Sequence, residues 1–209
     1  VQGRAIGITV SLNGSGNRVA IGNNGIHTGY IVYIYDYSDS TMNVTNGSWS
    51  QSNTITSGFA YSADRFGTCV SINDDGNIIA IGSPYYGNFP ADSNTGTPQN
   101  GGATYIFHLQ GGTWSQQQII KGTVSGDALG FSVSLNGSGS VFAGGYRLHD
   151  GGGANSGAVR IHETGEDTVI TTTTTSYSIP AANISNLSIN SDNTILTCLL
   201  YTSDAADEW

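Results

Sequence analysis

Ser71-Ile72-Asn73-Asp74-Asp75-Gly76-Asn77-Ile78-Ile79-Ala80-Ile81-Gly82 decides the fold, because the chain writes this phrase several times. Ser11-Leu12-Asn13-Gly14-Ser15-Gly16-Asn17-Arg18-Val19-Ala20-Ile21-Gly22 precedes it. Ser134-Leu135-Asn136-Gly137-Ser138-Gly139-Ser140-Val141-Phe142-Ala143-Gly144-Gly145 follows it, and Ser188-Ile189-Asn190-Ser191-Asp192-Asn193-Thr194-Ile195-Leu196 is a decayed fourth copy. The copies begin at positions 11, 71, 134 and 188, so the steps are 60, 63 and 54 residues. A unit of that size, recurring at a near-constant period, is the mark of stacked supersecondary repeats.

Within each copy an alternating apolar–polar run leads into an Asn/Gly/Ser/Asp turn, and a second apolar run leaves it. Alternation predicts a strand with one face buried, and the turn chemistry predicts a hairpin. The first strands are Ile8–Leu12, Thr68–Ile72 and Phe131–Leu135. The second are Val19–Ile21, Ile79–Ile81 and Val141–Ala143. A Gly-rich connection of variable length follows, longest from Ser83 to Gly101 with Pro84, Pro90 and Pro98. Third strands are expected at Ile31–Tyr35, Ala103–Phe107 and Ala158–His162. Fourth strands are expected at Gly47–Gln51 and Gly112–Gln116, which share Gly-x-Trp-Ser-Gln. The third unit has no such Trp, and its Thr-rich run from Thr168 to Ser178 reads as a degenerate outer strand or a linker.

The composition agrees with an all-β protein rich in tight turns: only 10% of the 209 residues are charged, and 30 are glycine. Six Lys or Arg are scattered through the chain against a formal charge of −9, so no basic patch exists for nucleic acid. No apolar run approaches a membrane span. The chain opens at Val1, close to a repeat strand, and its start carries no information on export. Scarce charge with abundant Ser, Thr and Asn suits an exported or surface protein. Residues 198–208 resemble the translation of a transposase-type sequencing adapter, so 198–209 is set aside as a non-native tail. Without Asp204, Asp207 and Glu208, twelve acidic residues face six basic ones, a formal charge of −6. Cys198 leaves with the tail, and Cys69 remains as a single small strand residue.

A linking phrase precedes each first strand: Ala63-Asp64-Arg65-Phe66-Gly67, Gly126-Asp127-Ala128-Leu129-Gly130 and Gln2-Gly3-Arg4-Ala5-Ile6-Gly7. Phe66-Gly67 opening a strand, followed by Ala80-Ile81-Gly82-Ser83-Pro84, resembles the FG-GAP repeat of integrin-α-type β-propellers. The resemblance covers roughly residues 1–196, closest in the second unit. It implies an all-β fold of consecutive four-stranded antiparallel blades of an incomplete β-propeller. The expected units are a blade over 1–66, a second over 67–129, a third over 130–182 with its degenerate outer strand, and the start of another over 183–197. Three blades and a fragment leave an arc with two unprotected faces, prone to association.

The resemblance also implies where metal would bind. The family's calcium loop, Asp-x-Asp-x-Asp-Gly-x-x-Asp, occupies the hairpin between strands one and two, because a hard dication needs several oxygen ligands. Its frame falls on Ser71, Asn73, Asp75, Gly76 and Ile79, with most carboxylates replaced and the last ligand apolar. Structural turns are the first reading. Asn73 and Asp75 form the one weak calcium candidate, and no other cofactor is expected.

His149-Asp150 lies in a Gly-rich loop without a second ligand at metal spacing, so it reads as a loop polar pair. His108 and His162 end third strands and read as solvated edge residues. Glu163, Glu166 and Asp167 share one loop, which is not the across-the-cleft arrangement of a glycosidase pair. No Gly-x-Ser-x-Gly elbow supplies a nucleophile. Trp49 and Trp114 read as packing between blades first and as rim stacking second. Tyr85, Tyr86 and Phe89, in the long loop, are the ligand-binding candidates, since long insertions on rigid scaffolds carry function.

The expectation is a non-enzymatic scaffold for protein or glycan adhesion, extracellular or at the cell surface. The alternatives are an accessory propeller of a larger secreted hydrolase, or a purely structural spacer.

Overall fold

A computed structural model describes residues 6–23, 31–39, 47–58, 64–87, 101–150, 156–164, 183–189 and 196–201. All the regular structure described is β. The first sheet comprises β1 (Ile6–Leu12), β2 (Arg18–Asn23), β3 (Ile31–Tyr37) and β4 (Trp49–Thr56), paired in sequence order. The second repeats it with β5 (Cys69–Ile72), β6 (Ile78–Ser83), β7 (Ala103–Gln110) and β8 (Thr113–Lys121). The third holds β9 (Leu129–Leu135), β10 (Val141–Tyr146) and β11 (Ala158–Glu163), and the last pairs β12 (Asn183–Ile189) with β13 (Leu196–Tyr201). All these pairings are antiparallel.

Register is conserved from unit to unit. The hairpins close on Leu12↔Val19, Ile72↔Ile79, Leu135↔Phe142 and Ile189↔Leu196, so the phrase that recurs in sequence recurs as one hairpin. Both complete sheets also shift register at the same place in the third strand, Ile34/Tyr35 and Ile106/Phe107. The fourth strands run beyond their Gly-x-Trp-Ser-Gln signature, to Thr56 and Lys121, because the residues that follow (Thr54, Ile55, Ile119, Ile120) are β-branched. The expected outer strand at 168–178 lies outside the described residues. Residues 198–201, set aside on sequence grounds, pair with β12 within β13. Their run Leu199-Leu200-Tyr201 is apolar enough to complete a hairpin.

The core lies between sheets. Alternation along each strand sends Ile79, Ile81, Tyr105 and Phe107 toward the first sheet, where they meet Ala20, Val32, Ile34 and Ile55. Ala80 and Ile106, the residues between them, meet Val133, Leu135 and Phe142 of the third sheet. The second sheet is thus covered on both faces, which explains its nearly continuous apolar strands.

Glycine sets how closely the sheets approach. A Cβ at Gly22 would collide with the carbonyl of Gly67, and one at Gly82 with the carbonyl of Gly130. Gly67 and Gly130 themselves hold φ of +86° and +87°. The residues two before them, Arg65 and Ala128, both adopt φ +54°, an uncommon conformation for a side-chain-bearing residue. The linking phrase is therefore one repeated backbone turn, and its Gly is required twice, for conformation and for contact.

Candidate functional site

Two places bring together the residues that the sequence singled out: the hairpin tips and the base of the 83–101 loop.

At each tip a buried asparagine organises the turn. Asn13 Oδ1 accepts from the Arg18 amide at 2.8 Å, and Asn136 Oδ1 from the Val141 amide at 3.0 Å. Asn73 Oδ1 accepts from the amides of both Asn77 and Ile78 at 2.9 Å. Its Nδ2 donates to Asn77 Oδ1 at 2.9 Å. The amide side chain thus replaces backbone partners inside the turn. The tips also join one another. The Gly14 amide donates to Asp74 O at 3.0 Å, and the Asp74 amide to Gly137 O at 2.9 Å. Arg18 adds a further link: Nε and Nη2 grip the Asp36 carboxylate at 2.6 and 2.9 Å while Nη1 donates to Gly76 O at 2.8 Å. That guanidinium holds the Asp36 carboxyl below the usual carboxylate range.

For the calcium candidate the consequence is direct. Asn73 spends its carbonyl oxygen on two amides, while Asp75 is exposed. Among the described residues no group of three or more His, Cys, Asp or Glu is placed to hold a metal.

The base of the long loop is built on the second linking phrase. The Tyr85 amide donates to Asp64 O at 3.2 Å, and Ser83 Oγ donates to the same carbonyl at 2.8 Å. The Arg65 guanidinium lies over the Tyr85 ring, 4.2 Å from its centroid. Tyr86 sits edge-on to Tyr105 at 6.1 Å, with Lys121 Nζ 5.3 Å from its ring centre. Both tyrosines are half-buried. Phe89 lies outside the described residues. Of the three candidates, then, two are placed: Tyr85 has the Arg65 cation over one face, and Tyr86 doubles as packing against the core.

Beneath them is a group that sequence reading passed over. Asp64 is 1% exposed, and neither carboxylate oxygen has a hydrogen-bond partner. Burial pushes its pKa up to about 6. The Tyr105 hydroxyl is likewise buried without a partner, and desolvation raises its pKa strongly. The third unit answers the same problem differently. Asp127 stands where Asp64 does, and His149 stands where Tyr86 does. His149 Nδ1 lies 3.1 Å from Asp127 Oδ2. Superposing the repeats in sequence would have paired these positions. Reading His149 with its neighbour Asp150 obscured the pair.

Other candidates move. His162 is not a solvated edge residue: it stacks on Phe142 at 4.8 Å, and burial, with Arg160 nearby, lowers its pKa to about 4. His108 is half-buried, and its pKa is lowered for the same first reason. Trp114 packs at the edge of the core, whereas Trp49 is 43% exposed and meets Tyr37 at 5.3 Å instead of packing between blades. Glu163 is exposed, and Glu166 and Asp167 lie outside the described residues.

Residues 49–107 match the FG-GAP repeat, a span from β4 through β7 that includes Phe66-Gly67 and Gly82-Ser83-Pro84. No curated protein matches the chain. Among solved structures it is similar to TolB from Acinetobacter baumannii, with a TM-score of 0.53 and 12% identity over 97% of this chain and 39% of that one. It is similar to the complex of KlAtg21 with the coiled coil of AgAtg16, with a TM-score of 0.55 and 12% identity over 93% and 50%. A candidate 6-phosphogluconolactonase from Bacteroides fragilis NCTC 9343 gives a TM-score of 0.55 and 15% identity over 90% and 46%. The chain therefore spans half or less of the length of each. At these identities the likeness is one of fold, and it is propeller-like. Consecutive antiparallel blades of an incomplete β-propeller describe this chain, and residues 49–107, from the outer strand of the first sheet into the second, resemble an FG-GAP repeat.

Proposed function

We propose that the chain is a non-enzymatic propeller scaffold that binds a protein or glycan ligand outside the cell or at its surface. The observation that carries this reading is the base of the 83–101 loop. There a rigid blade presents Tyr85 under Arg65 and Tyr86 beside Lys121, aromatic rings with cations already in place. Such rings offer large contact area at low entropic cost, and sugars and peptides both stack on them. Among the described residues no helix is long and apolar enough to cross a membrane. The test is a solid-phase screen of the protein against glycans and extracellular-matrix proteins, repeated with Tyr85→Ala. Binding that falls about tenfold or more in the variant, as loss of a stacking residue predicts, supports the reading. No binding to any surface, or binding indifferent to Tyr85, overturns it.

A further inference from the structure

The second and third units build the same turn around a buried aspartate and finish it differently. Asp64 and Asp127 are 1% and 2% exposed. The carbonyl of each accepts, at 3.2 Å, from an amide beyond the second strand, that of Tyr85 in one unit and of Leu148 in the other. Each aspartate is followed by a residue at φ +54°. The two turns are therefore equivalent position by position, and their side chains can be compared directly.

In the third unit the chain supplies its own cations. His149 Nδ1 lies 3.1 Å from Asp127 Oδ2. Arg160 places its guanidinium 4.7 Å from the centre of the Tyr146 ring, which is itself edge-on to His149 at 6.1 Å. In the second unit both cationic positions hold phenols. Tyr86 stands at the position of His149, and Tyr105, paired with Ile81 as Arg160 is with Gly144, stands at that of Arg160. Asp64 is left with no hydrogen-bond partner on either oxygen, and the Tyr105 hydroxyl has none either. Burial raises the pKa of that hydroxyl, and Tyr86 and Asp64 raise it further, which puts the three groups within electrostatic reach of one another. Among the described residues no cation lies within ion-pair distance of Asp64. Arg65 and Lys121 lie over the rings of Tyr85 and Tyr86 instead. A buried carboxylate without a donor costs stability, and such a local cost marks a site that is completed by a ligand.

The third unit shows what completes it, a nitrogen cation at hydrogen-bond distance from the carboxylate. A divalent metal is the poorer occupant, since it asks for several oxygen ligands and no group of three or more His, Cys, Asp or Glu is assembled among the described residues. Asp64 lies below the surface, so the cation must arrive on a slender stem. A lysine side chain carries a compact ammonium on a flexible four-carbon stem, whereas an amino sugar bears its ammonium directly on the ring. The half-buried rings of Tyr85 and Tyr86 suit the methylenes of such a stem.

We infer that the Asp64 site binds the ammonium of a lysine side chain from a protein partner, with the buried carboxylate as its counter-ion. This rests on the reading of the loop base as a ligand site and names the charged group of the ligand.

Titration of the full chain with Nα-acetyl-lysine methylamide, whose side-chain ammonium is its only charge, tests this by amide NMR. The Tyr85 amide, bonded to Asp64 O, should shift saturably with a Kd of about 10 mM or tighter. The norleucine analogue, which keeps an apolar stem without the ammonium, and glucosamine should leave it unmoved. Asp64→Asn keeps the shape of the side chain, and Tyr86→His places an imidazole where His149 stands in the third unit. Each should weaken the response at least about tenfold. Far-UV circular dichroism checks that both variants fold, and Asp64→Asn carries the test alone if Tyr86→His does not. No saturable shift at about 100 mM overturns the inference. So does an equal response to glucosamine or to the norleucine analogue, or a full response in either folded variant. In the solid-phase screen, a surface bound through Tyr85 but indifferent to Asp64→Asn overturns this inference alone, whereas indifference to Tyr85 overturns the broader reading as well.

Discussion

Replacing Asp64 by Asn should stabilise the protein, and only above a particular pH. The Asp64 carboxyl is held at about 6 in the folded chain, against 3.8 for the free group, because it is buried with no donor on either oxygen. A folded-state pKa above the unfolded one means that the native chain binds the proton more tightly. The native state is therefore penalised wherever the group must ionise. The penalty is complete above pH 6, shrinks as the pH falls through the interval between 6 and 3.8, and is gone below it. A shift of about two units corresponds to about 3 kcal/mol. Urea unfolding, followed by tryptophan fluorescence at steps from pH 4 to pH 7.5, gives the difference between Asp64→Asn and wild type at each pH. That difference should rise by about 3 kcal/mol in favour of the variant across the series. Taking it at each pH removes other titrations, including that of His162. A difference that stays constant with pH, or a variant less stable than wild type at pH 7.5, refutes the reasoning.

The sister position responds in the opposite sense. Asp127→Ala removes the 3.1 Å contact with His149 and should destabilise by about 1.5–3 kcal/mol at neutral pH in the same unfolding assay. Gly130→Ala forces a Cβ into the Ala103 carbonyl at φ +87° and should cost on the order of 3 kcal/mol, read as a lowered urea midpoint. His162→Phe puts in the residue that Phe107 already supplies one unit earlier. Because the folded-state pKa of His162 is depressed to about 4, wild type loses stability as the pH falls from 6.5 toward 4, and the phenylalanine variant should not show that part of the loss. Parallel melting curves at pH 7 and pH 4.5 measure it.

Much of this architecture was legible because one phrase carries it. Asn13, Asn73 and Asn136 recur at fixed offsets from alternating strands, and each proves to be the residue that organises its turn. Phe66-Gly67 and Gly82 were readable as a motif, although their reason, carbonyl-to-glycine contact between sheets, appears only in three dimensions. Blade boundaries blurred where strand chemistry simply continued, as at Thr54–Thr56. The site was harder to read. Asp64 looks like any acidic loop residue until the fold buries it, and no local sequence pattern reports burial imposed from elsewhere in the chain. His162 misled for the same reason: a strand end is solvated only if no ring lies beneath it, and Phe142 does. Trp49 and Trp114 share a sequence signature but not a fate, since exposure depends on which neighbour each sheet has.

Successive units are joined by side-chain acceptors on one inner strand and amides on the next: Thr9 and Ser11 accept from Val70 and Ile72, and Cys69 and Ser71 from Val133 and Leu135. Amide hydrogen exchange measured by NMR in wild type and in Ser71→Ala addresses this directly. The Leu135 amide, held by Ser71 Oγ at 2.9 Å, should be protected in wild type and exchange markedly faster in the variant. The amide of Ile72, held by Ser11, should keep its protection. A Leu135 amide that exchanges freely in wild type, or that is indifferent to the loss of Ser71, contradicts the account.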